Sequence, residues 1–181
     1  MNLNKISRKL SLVLRHQPES IGLTLDEHGW VDVDGLLQCL SNGGMSVTKP
    51  TLQEVVESND KQRFRFSDDG SRIRANQGHS LSVDLEMKEQ TPPDILFHGT
   101  ASRFLESITE EGLQKRNRQH VHLSLDRETA TKVGSRHGRP VILEVDARKM
   151  HQDGYLFYQS DNGVWLTDSV SRVYLNNLKN K

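Results

Sequence analysis

A single cysteine, Cys39, stands in the whole chain. An internal disulfide is therefore excluded, and no CxxC or other multi-cysteine zinc pattern exists. No signal-like apolar run opens the chain, and no apolar stretch is long enough to span a bilayer. No membrane association is expected, and a soluble cytoplasmic protein is the default. Neither sign of charge dominates: 24 Lys+Arg face 24 Asp+Glu, for a formal net charge of zero. That balance argues against a general nucleic-acid coat protein but leaves room for a local anion site. There is no Walker loop and no GxGxxG, so neither a P-loop nor a Rossmann reading is supported. The acids form no obvious hydrolytic pair, and Ser-His-Asp catalysis has no nucleophile elbow to stand on. His120-x-His122 alone is too little for a metal site, so no metal is expected.

The chain does have material for a core. Its 181 residues, 34% of them hydrophobic, suffice for one large domain or two small ones. Ile6, Leu10, Val13 and Leu14 recur at helical spacing, so residues 3–14 form an amphipathic helix that Pro18 brings to an end. Arg15 and His16 then stand at a helix C-terminus, a favourable place for cations in any protein. Residues 22–25 and 29–31 read as short strands about a turn at 26–29. Asp32 or Asp34 caps a helix through Leu36, Leu37 and Leu40, which Asn42-Gly43-Gly44 stops. Thr51 caps a third helix bearing Leu52, Val55 and Val56.

The stretch DKQRFRFSDDGSRIRANQGHS, residues 60–80, is the most unusual. Arg63, Phe64, Arg65 and Phe66 alternate with the period of a half-buried strand. Asp68-Asp69-Gly70-Ser71 is a turn, and Arg72-Ile73-Arg74 return. One face would bury Phe64, Phe66 and Ile73 while the other presents guanidiniums. A merely solvated basic face explains such a hairpin equally well. Against that reading, Arg74 to Ser80 carry no acid, only small or hydrogen-bonding groups suited to an anion. Helix, short strand, helix, helix, hairpin is the order of a winged-helix module, a fold that often binds nucleic acid. Ser82–Leu85 could finish a strand. Polar residues and Pro92-Pro93 then mark a boundary, giving domains 1–90 and 91–181, with the short linker implying a shared cleft.

The second half is α+β on the same reasoning. Ile95-Leu96-Phe97 is a strand running into His98-Gly99-Thr100, where Gly99 permits close backbone approach to a ligand. Phe104, Leu105, Ile108 and Leu113 fit a helix ended by Gly112, and residues 115–119 are a basic loop. Residues 121–124 form a strand, Asp126 to Val133 a helix, and 135–139 a second basic loop. Residues 141–145, 155–158, 164–166 and 173–175 are further strand candidates. Arg15, Arg63, Arg74, Arg136 and Arg139 lie beside loops or helix ends, and guanidiniums grip phosphate bidentately. The residues by themselves describe a two-domain phosphate-handling protein.

Several long motifs sharpen this. KLSLVLRHQPESIGLTLDEHGWV at 9–31, the 60–80 stretch, LFHGT at 96–100, VHLS at 121–124, VGSR at 133–136 and VWLTDSV at 164–170 occur in this order. In them the chain resembles the KptA family of RNA 2'-phosphotransferases over nearly its full length. The resemblance implies an N-terminal winged-helix-like lobe that binds RNA phosphate and a C-terminal ADP-ribosyltransferase-like lobe that binds NAD. It implies transfer of an internal RNA 2'-phosphate, of the kind left by tRNA splicing, to NAD as co-substrate. The products would be 2'-hydroxyl RNA, nicotinamide and ADP-ribose 1'',2''-cyclic phosphate. Arg15, His16, Arg63 and Arg136 match the family's catalytic quartet. His98, Gly99, Thr100, His122, Leu123 and Ser124 match its NAD-pocket motifs, and Asn76 and His79 are carried over as substrate-binding. His122 stands where many ADP-ribosyltransferases have a tyrosine, and no transferase glutamate is identifiable. A monomer is expected. Two rival readings are an ADP-ribosyltransferase that leaves a stable adduct and a winged-helix binder without catalysis.

Overall fold

Asn2 starts the first helix: its side-chain oxygen accepts the N–H groups of Asn4 and Lys5 at 3.0 and 3.3 Å, satisfying donors that a helix start leaves unpaired. Helix α1 (Leu3–Arg15) buries Ile6, Leu10, Val13 and Leu14 on one face. The computed structural model describes residues 2–178, and the chain divides into two units, Met1–Glu86 and Met87–Lys181. Both are mixtures of helix and strand, so the chain is α+β.

In the first unit, Pro18 opens a short 3-10 turn, Pro18–Ile21, closed by Gly22 at φ 68°. The N–H groups of Gly22 and Leu23 are spent on the carbonyls of Glu19 and Pro18. Residues 22–25 therefore form no strand, contrary to the short strand expected there. The expected turn at 26–29 is present, with the Asp26 side chain accepting from the His28 and Trp30 N–H groups at 2.9 and 2.8 Å. Strand β1 (Val31–Asp32) follows directly. Asp32 caps α2 (Val33–Asn42) through the Gly35 N–H at 2.8 Å. Helix α3 (Lys49–Glu57) is capped by Thr48, not Thr51. Pro50 occupies the first turn and brings no donor, so Thr51 is the residue whose N–H the cap receives.

Strands β2 (Phe64–Phe66) and β3 (Arg72–Ala75) form the hairpin, and the sheet order is β1-β3-β2. Phe64 pairs with Ala75, Arg65 with Arg74 and Phe66 with Ile73, all antiparallel. Phe64, Ile73 and Ala75 enter the core with α1, Leu36, Leu40, Leu52 and Val55. The opposite face does not simply present guanidiniums to water. Trp30 lies against three of its arginines, with the Cζ atoms of Arg65, Arg72 and Arg74 at 5.2, 5.4 and 4.5 Å from a Trp30 ring centroid. Arg74 is only 5% exposed and donates to the carbonyls of His28 and Leu85 at 3.2 and 3.4 Å. Residues 82–85 consequently join no ladder. They bury Val83 and Leu85 and are held by the bond from the Asp84 N–H to the Glu27 carbonyl, 2.8 Å.

The second unit is built on β4 (Ile95–Ala101), paired antiparallel along its length with β7 (Pro140–Asp146), from Ile95↔Asp146 to Ala101↔Pro140. His98-Gly99-Thr100 thus continues the strand that Ile95-Leu96-Phe97 begins. Helix α4 (Leu105–Glu111) ends at Gly112, and Leu113 begins β5 (Leu113–Gln114) instead of extending the helix. Strand β6 (Val121–Leu123) is joined to β4 by reciprocal bonds between Phe97 and Ser124, 2.9 and 2.7 Å. Helix α5 (Arg127–Gly134) is capped by Asp126. Helix α6 (Ala147–Gln152), absent from the sequence reading, is capped by Asp146. Strands β8 (Tyr158–Gln159) and β9 (Trp165–Thr167) complete a sheet of order β6-β9-β8, and β10 (Ser169–Val170) pairs with β5. Residues 155–157 stay outside the ladder, and Arg172–Tyr174 is a 3-10 turn where a strand was expected.

Helix α5 crosses β4 at backbone contact. A Cβ on Gly99 would fall 1.7 Å from the Ala130 carbonyl oxygen, and one on Gly134 would fall 2.6 Å from that of Thr100. The close approach that Gly99 permits is to this helix. Gly99→Ala should therefore cost about 3 kcal/mol or more, because the obstacle is main chain and cannot rotate away. Gly35→Ala serves as the contrast: its Cβ would meet only the Asp32 side chain at 3.6 Å and beyond, so helix propensity should stabilise by ~0.5–1 kcal/mol. Urea unfolding of both variants checks this, and an unchanged midpoint for Gly99→Ala would rule out the contact as described.

Candidate functional site

In the first unit the sequence-identified residues gather around one carbonyl. Arg15 is the last residue of α1, and its Nη2 donates to the Arg63 carbonyl at 3.4 Å. The same carbonyl receives the Asn76 N–H at 2.9 Å. Arg15 also lies over the Phe64 ring, 5.8 Å from its centroid. The Arg63 guanidinium is half-buried and donates through Nη1 to the Asn59 side-chain oxygen at 3.2 Å. His16 caps α1 and bonds through Nδ1 to the Ser80 hydroxyl at 2.9 Å, while the Ser80 N–H bonds the Arg15 carbonyl at 3.0 Å. The 76–80 segment is thereby fastened across the end of α1. Arg15, His16, Arg63, Asn76 and His79 all belong to this region of the first unit.

Asn76 and His79 are not surface groups. Asn76 is 6% exposed and His79 1%. Asn76 donates to the Gln62 carbonyl, but its Oδ1, both ring nitrogens of His79 and the Gln77 Oε1 are buried without a partner. Burial, followed by the charges of Arg15, His16 and Arg74, lowers the His79 pKa to about 4. The imidazole is neutral at pH 7.

The second unit brings His98-Gly99-Thr100 beside His122-Leu123-Ser124. His98 Nδ1 meets the His122 carbonyl at 2.9 Å. A carbonyl only accepts, so Nδ1 holds the proton and Nε2 is left as an acceptor. Arg118 Nη1 lies 3.1 Å from His122 Nδ1. A guanidinium only donates, so this nitrogen is the unprotonated one. Burial and then the Arg118 charge lower the His98 pKa, against an opposing effect from its bond to the His122 carbonyl. The site thus holds, in His98, a neutral imidazole whose Nε2 can accept from a hydroxyl group, whereas the acceptor nitrogen of His122 is taken by Arg118. Thr100 is buried, and Leu123 points its side chain into the core. Gly99 is covered by α5. Arg136 is exposed in the turn after α5, its N–H bonded to the Val133 carbonyl at 3.3 Å. Among the described residues no group of three or more His, Cys, Asp or Glu is placed to hold a metal ion, and no helix is long and apolar enough to cross a membrane.

Sequence reasoning missed the supports. Asn59, Ser80 and Arg118 each bond a residue it singled out. Trp30, which sits under three arginines, carried a visible signal as a lone aromatic preceding an arginine-rich hairpin.

The family model described as "RNA 2'-phosphotransferase, Tpt1 / KptA family" matches residues 2–169. A probable RNA 2'-phosphotransferase of Acaryochloris marina is 55% identical over 172 residues, 95% of this chain and 95% of the relative. One of Rhodopirellula baltica is 57% identical over 170 residues, covering 93% of this chain and 92% of the relative. One of Pseudomonas aeruginosa is 55% identical over 169 residues, 93% of each chain.

The buried imidazole of His79 links stability to pH. Unfolded, it titrates at about 6.5, whereas folded it titrates at about 4. Between these values the unfolded chain binds more protons. The stability tied to neutral His79 is complete above pH ~6.5 and lost as pH falls toward ~4, ~3 kcal/mol in all. Unfolding of the wild type and of His79→Gln across that window measures it. The wild type should lose stability more steeply, and parallel slopes would show that His79 is not held neutral.

Proposed function

Because the chain belongs to the RNA 2'-phosphotransferase, Tpt1 / KptA family, we propose that it transfers an internal RNA 2'-phosphate to NAD. The products are 2'-hydroxyl RNA, nicotinamide and ADP-ribose 1'',2''-cyclic phosphate. The observation that carries the reading is the extent of the match, residues 2–169, which reaches across both units and takes in every candidate site residue named above. In this reading residues 1–90 are a winged-helix-like lobe that binds RNA phosphate. Residues 91–181 are an ADP-ribosyltransferase-like lobe that binds NAD. The first is supported by helices followed by the β2–β3 hairpin in a small sheet. The second is supported by short antiparallel sheets and by the neutral acceptor on His98, which suits a ribose hydroxyl.

The chemistry proceeds in two steps. A 2'-phosphate oxygen attacks C1'' of the nicotinamide ribose. The C–N bond breaks with its electron pair passing to the ring, whose positive charge is neutralised as nicotinamide leaves. The ribose O2'' then attacks phosphorus, and the RNA 2'-oxygen departs with the proton that O2'' gives up. Both substrates are anionic, so the barrier is largely one of alignment and repulsion, which arginines offset. Arg15 and Arg63 hold the phosphate, and Arg63 and Arg136 stabilise charge on the phosphoryl oxygens as phosphorus becomes crowded. His16, oriented by Ser80, positions the phosphate or protonates the departing oxygen.

The test uses an oligonucleotide with one internal 2'-phosphate, with products resolved by mass over time. The wild type should release nicotinamide and cyclic phosphate together. Arg63→Ala should turn over roughly ten- to a hundredfold more slowly, the equivalent of one lost charge-assisted contact at ~1–3 kcal/mol. Arg63→Lys should also be poor because it loses the planar fork. Arg136→Ala or His16→Ala should accumulate RNA-2'-phospho-ADP-ribose, since the second step passes through the more highly charged transition state. Inorganic phosphate released without NAD would refute the transferase and make the protein a phosphatase. A stable adduct from the wild type would make it an ADP-ribosyltransferase.

A further inference from the structure

One exposed aromatic residue is left unused by everything above. Phe104 ends the 3-10 turn Ser102–Phe104 and remains 40% exposed. The sequence pattern placed it on the apolar face of the following helix, but it does not join the core cluster that holds Ile108 and Leu113. Instead it lies against one arginine and one histidine. Arg103 Cζ lies 4.7 Å from its ring centroid, and the His137 ring meets it edge to face at 6.4 Å and 71°.

Main-chain bonds hold the arrangement together. The Ser102 N–H donates to the Arg139 carbonyl at 3.0 Å, which ties the start of the turn to the 135–139 loop. Within that loop the Arg136 and His137 N–H groups bond the carbonyls of Val133 and Gly134 at 3.3 and 3.1 Å. The two segments, 99–104 and 134–140, contain three arginines, a histidine and no acid. The first acid beyond them is Glu106, on α4. Among the described residues Arg103, Arg136 and Arg139 enter no ion pair. The other exposed large apolar side chains, Leu12, Leu125, Leu156 and Val173, are all aliphatic.

We propose that Phe104, flanked by Arg103 and His137 and tied through the Ser102 main chain to the loop that carries Arg136 and Arg139, is a stacking platform for a base of single-stranded RNA, distinct from the groups that handle the 2'-phosphate. The proposal rests on the transferase reading above, which makes RNA the substrate and Arg136 its neighbour in this loop. An aromatic face beside unpaired guanidiniums is what a single strand requires. Every base offers a π-face, and every linkage between bases offers a phosphate. A protein partner would need a broader apolar area than one ring. The adenine of NAD brings a single pyrophosphate, whereas a strand brings a phosphate at each nucleotide for the separate arginines. Arg103 stacked on the ring also limits its motion before a base arrives.

The experiment uses the full chain and a dye-labelled short single strand with one internal 2'-phosphate, alongside its 2'-hydroxyl counterpart. Affinity is read by anisotropy, and KM is measured separately for RNA and for NAD. Phe104→Ala and Phe104→Leu should each weaken both RNAs about tenfold, within the range that base–aromatic stacking supplies. Phe104→Trp should bind like the wild type, and the KM for NAD should hold in all three. The contrast between Leu and Trp keeps the test valid should the Ala variant fold poorly, because both replacements retain bulk. RNA affinity unchanged in Phe104→Leu overturns the platform. A raised KM for NAD with unchanged RNA binding overturns it too, and reassigns the ring to the adenine. If the wild type shows no NAD-dependent turnover yet RNA binding falls with Phe104→Leu, the transferase reading fails while the platform stands.

Discussion

The carbonyl oxygen of Arg63 is the point on which the first unit's candidate site depends. It accepts the Asn76 N–H from the returning side of the hairpin and the Arg15 guanidinium from the end of α1. A carbonyl has two lone pairs, and here each joins a different part of the first unit to the residue that precedes β2. Two consequences follow. Arg15 is held with part of its donor set committed to main chain, so its position is defined before any anion arrives. The side chain of the residue carrying that carbonyl is separately held by Asn59. On the proposed function, such prior ordering would lower the entropic cost of gripping a phosphate. Ser80 completes the frame by bonding both His16 and the Arg15 carbonyl.

The second unit reaches an equivalent rigidity through shape. Gly99 and Gly134 let the backbones of α5 and β4 meet, with no side chain between them. This fixes where α5 ends, and the turn after α5 carries Arg136. The His98–His122 arrangement has a related logic, since the reciprocal Phe97–Ser124 bonds set β6 beside β4 and bring the His122 carbonyl to His98. The neutral tautomer of His98 is thus a product of strand pairing.

Much of this was legible in the sequence, and the limits were physical. Ile6, Leu10, Val13 and Leu14 marked α1 because a 3.6-residue period survives any tertiary context. Phe64, Ile73 and the Asp68–Ser71 turn marked the hairpin for the same kind of reason. Residues 22–25 read as a short strand, but their leading N–H groups were already used by a turn that Pro18 nucleates. Thr51 looked like a cap until Pro50 shifted the helix start to Thr48. Helix α6 escaped because only Ala147 and Met150 are apolar in its short span. Gly99 signalled close approach correctly, yet a glycine cannot say what approaches it. Arg65, Arg72 and Arg74 were read as a face of guanidiniums, solvated or anion-binding, because a Trp packed across them from residue 30 is a long-range event that alternation does not encode. The motif residues Arg15, His16, Arg63, His98 and His122 were visible. The residues that orient them, Asn59, Ser80 and Arg118, were not, because a supporting bond depends on three-dimensional placement and not on spacing.

The charge arrangement explains the absence of a recognisable catalytic carboxylate. From Arg72 to Ser80 the first unit has no acid, and the 134–140 loop of the second has none either. His79 and His98 are held neutral by burial and neighbouring arginines, so neither adds another positive charge to be solvated nor acts as a strong base. A first step that had to deprotonate a hydroxyl nucleophile before attack would need a carboxylate or an accessible imidazole near neutral pKa. A 2'-phosphate arrives already ionised. A glutamate placed near it would repel the nucleophile it was meant to assist. For an anionic nucleophile the useful catalytic investment is fixed positive charge, together with uncharged acceptors for ribose hydroxyls. On the proposed function, the arginines and the neutral His98 would provide these.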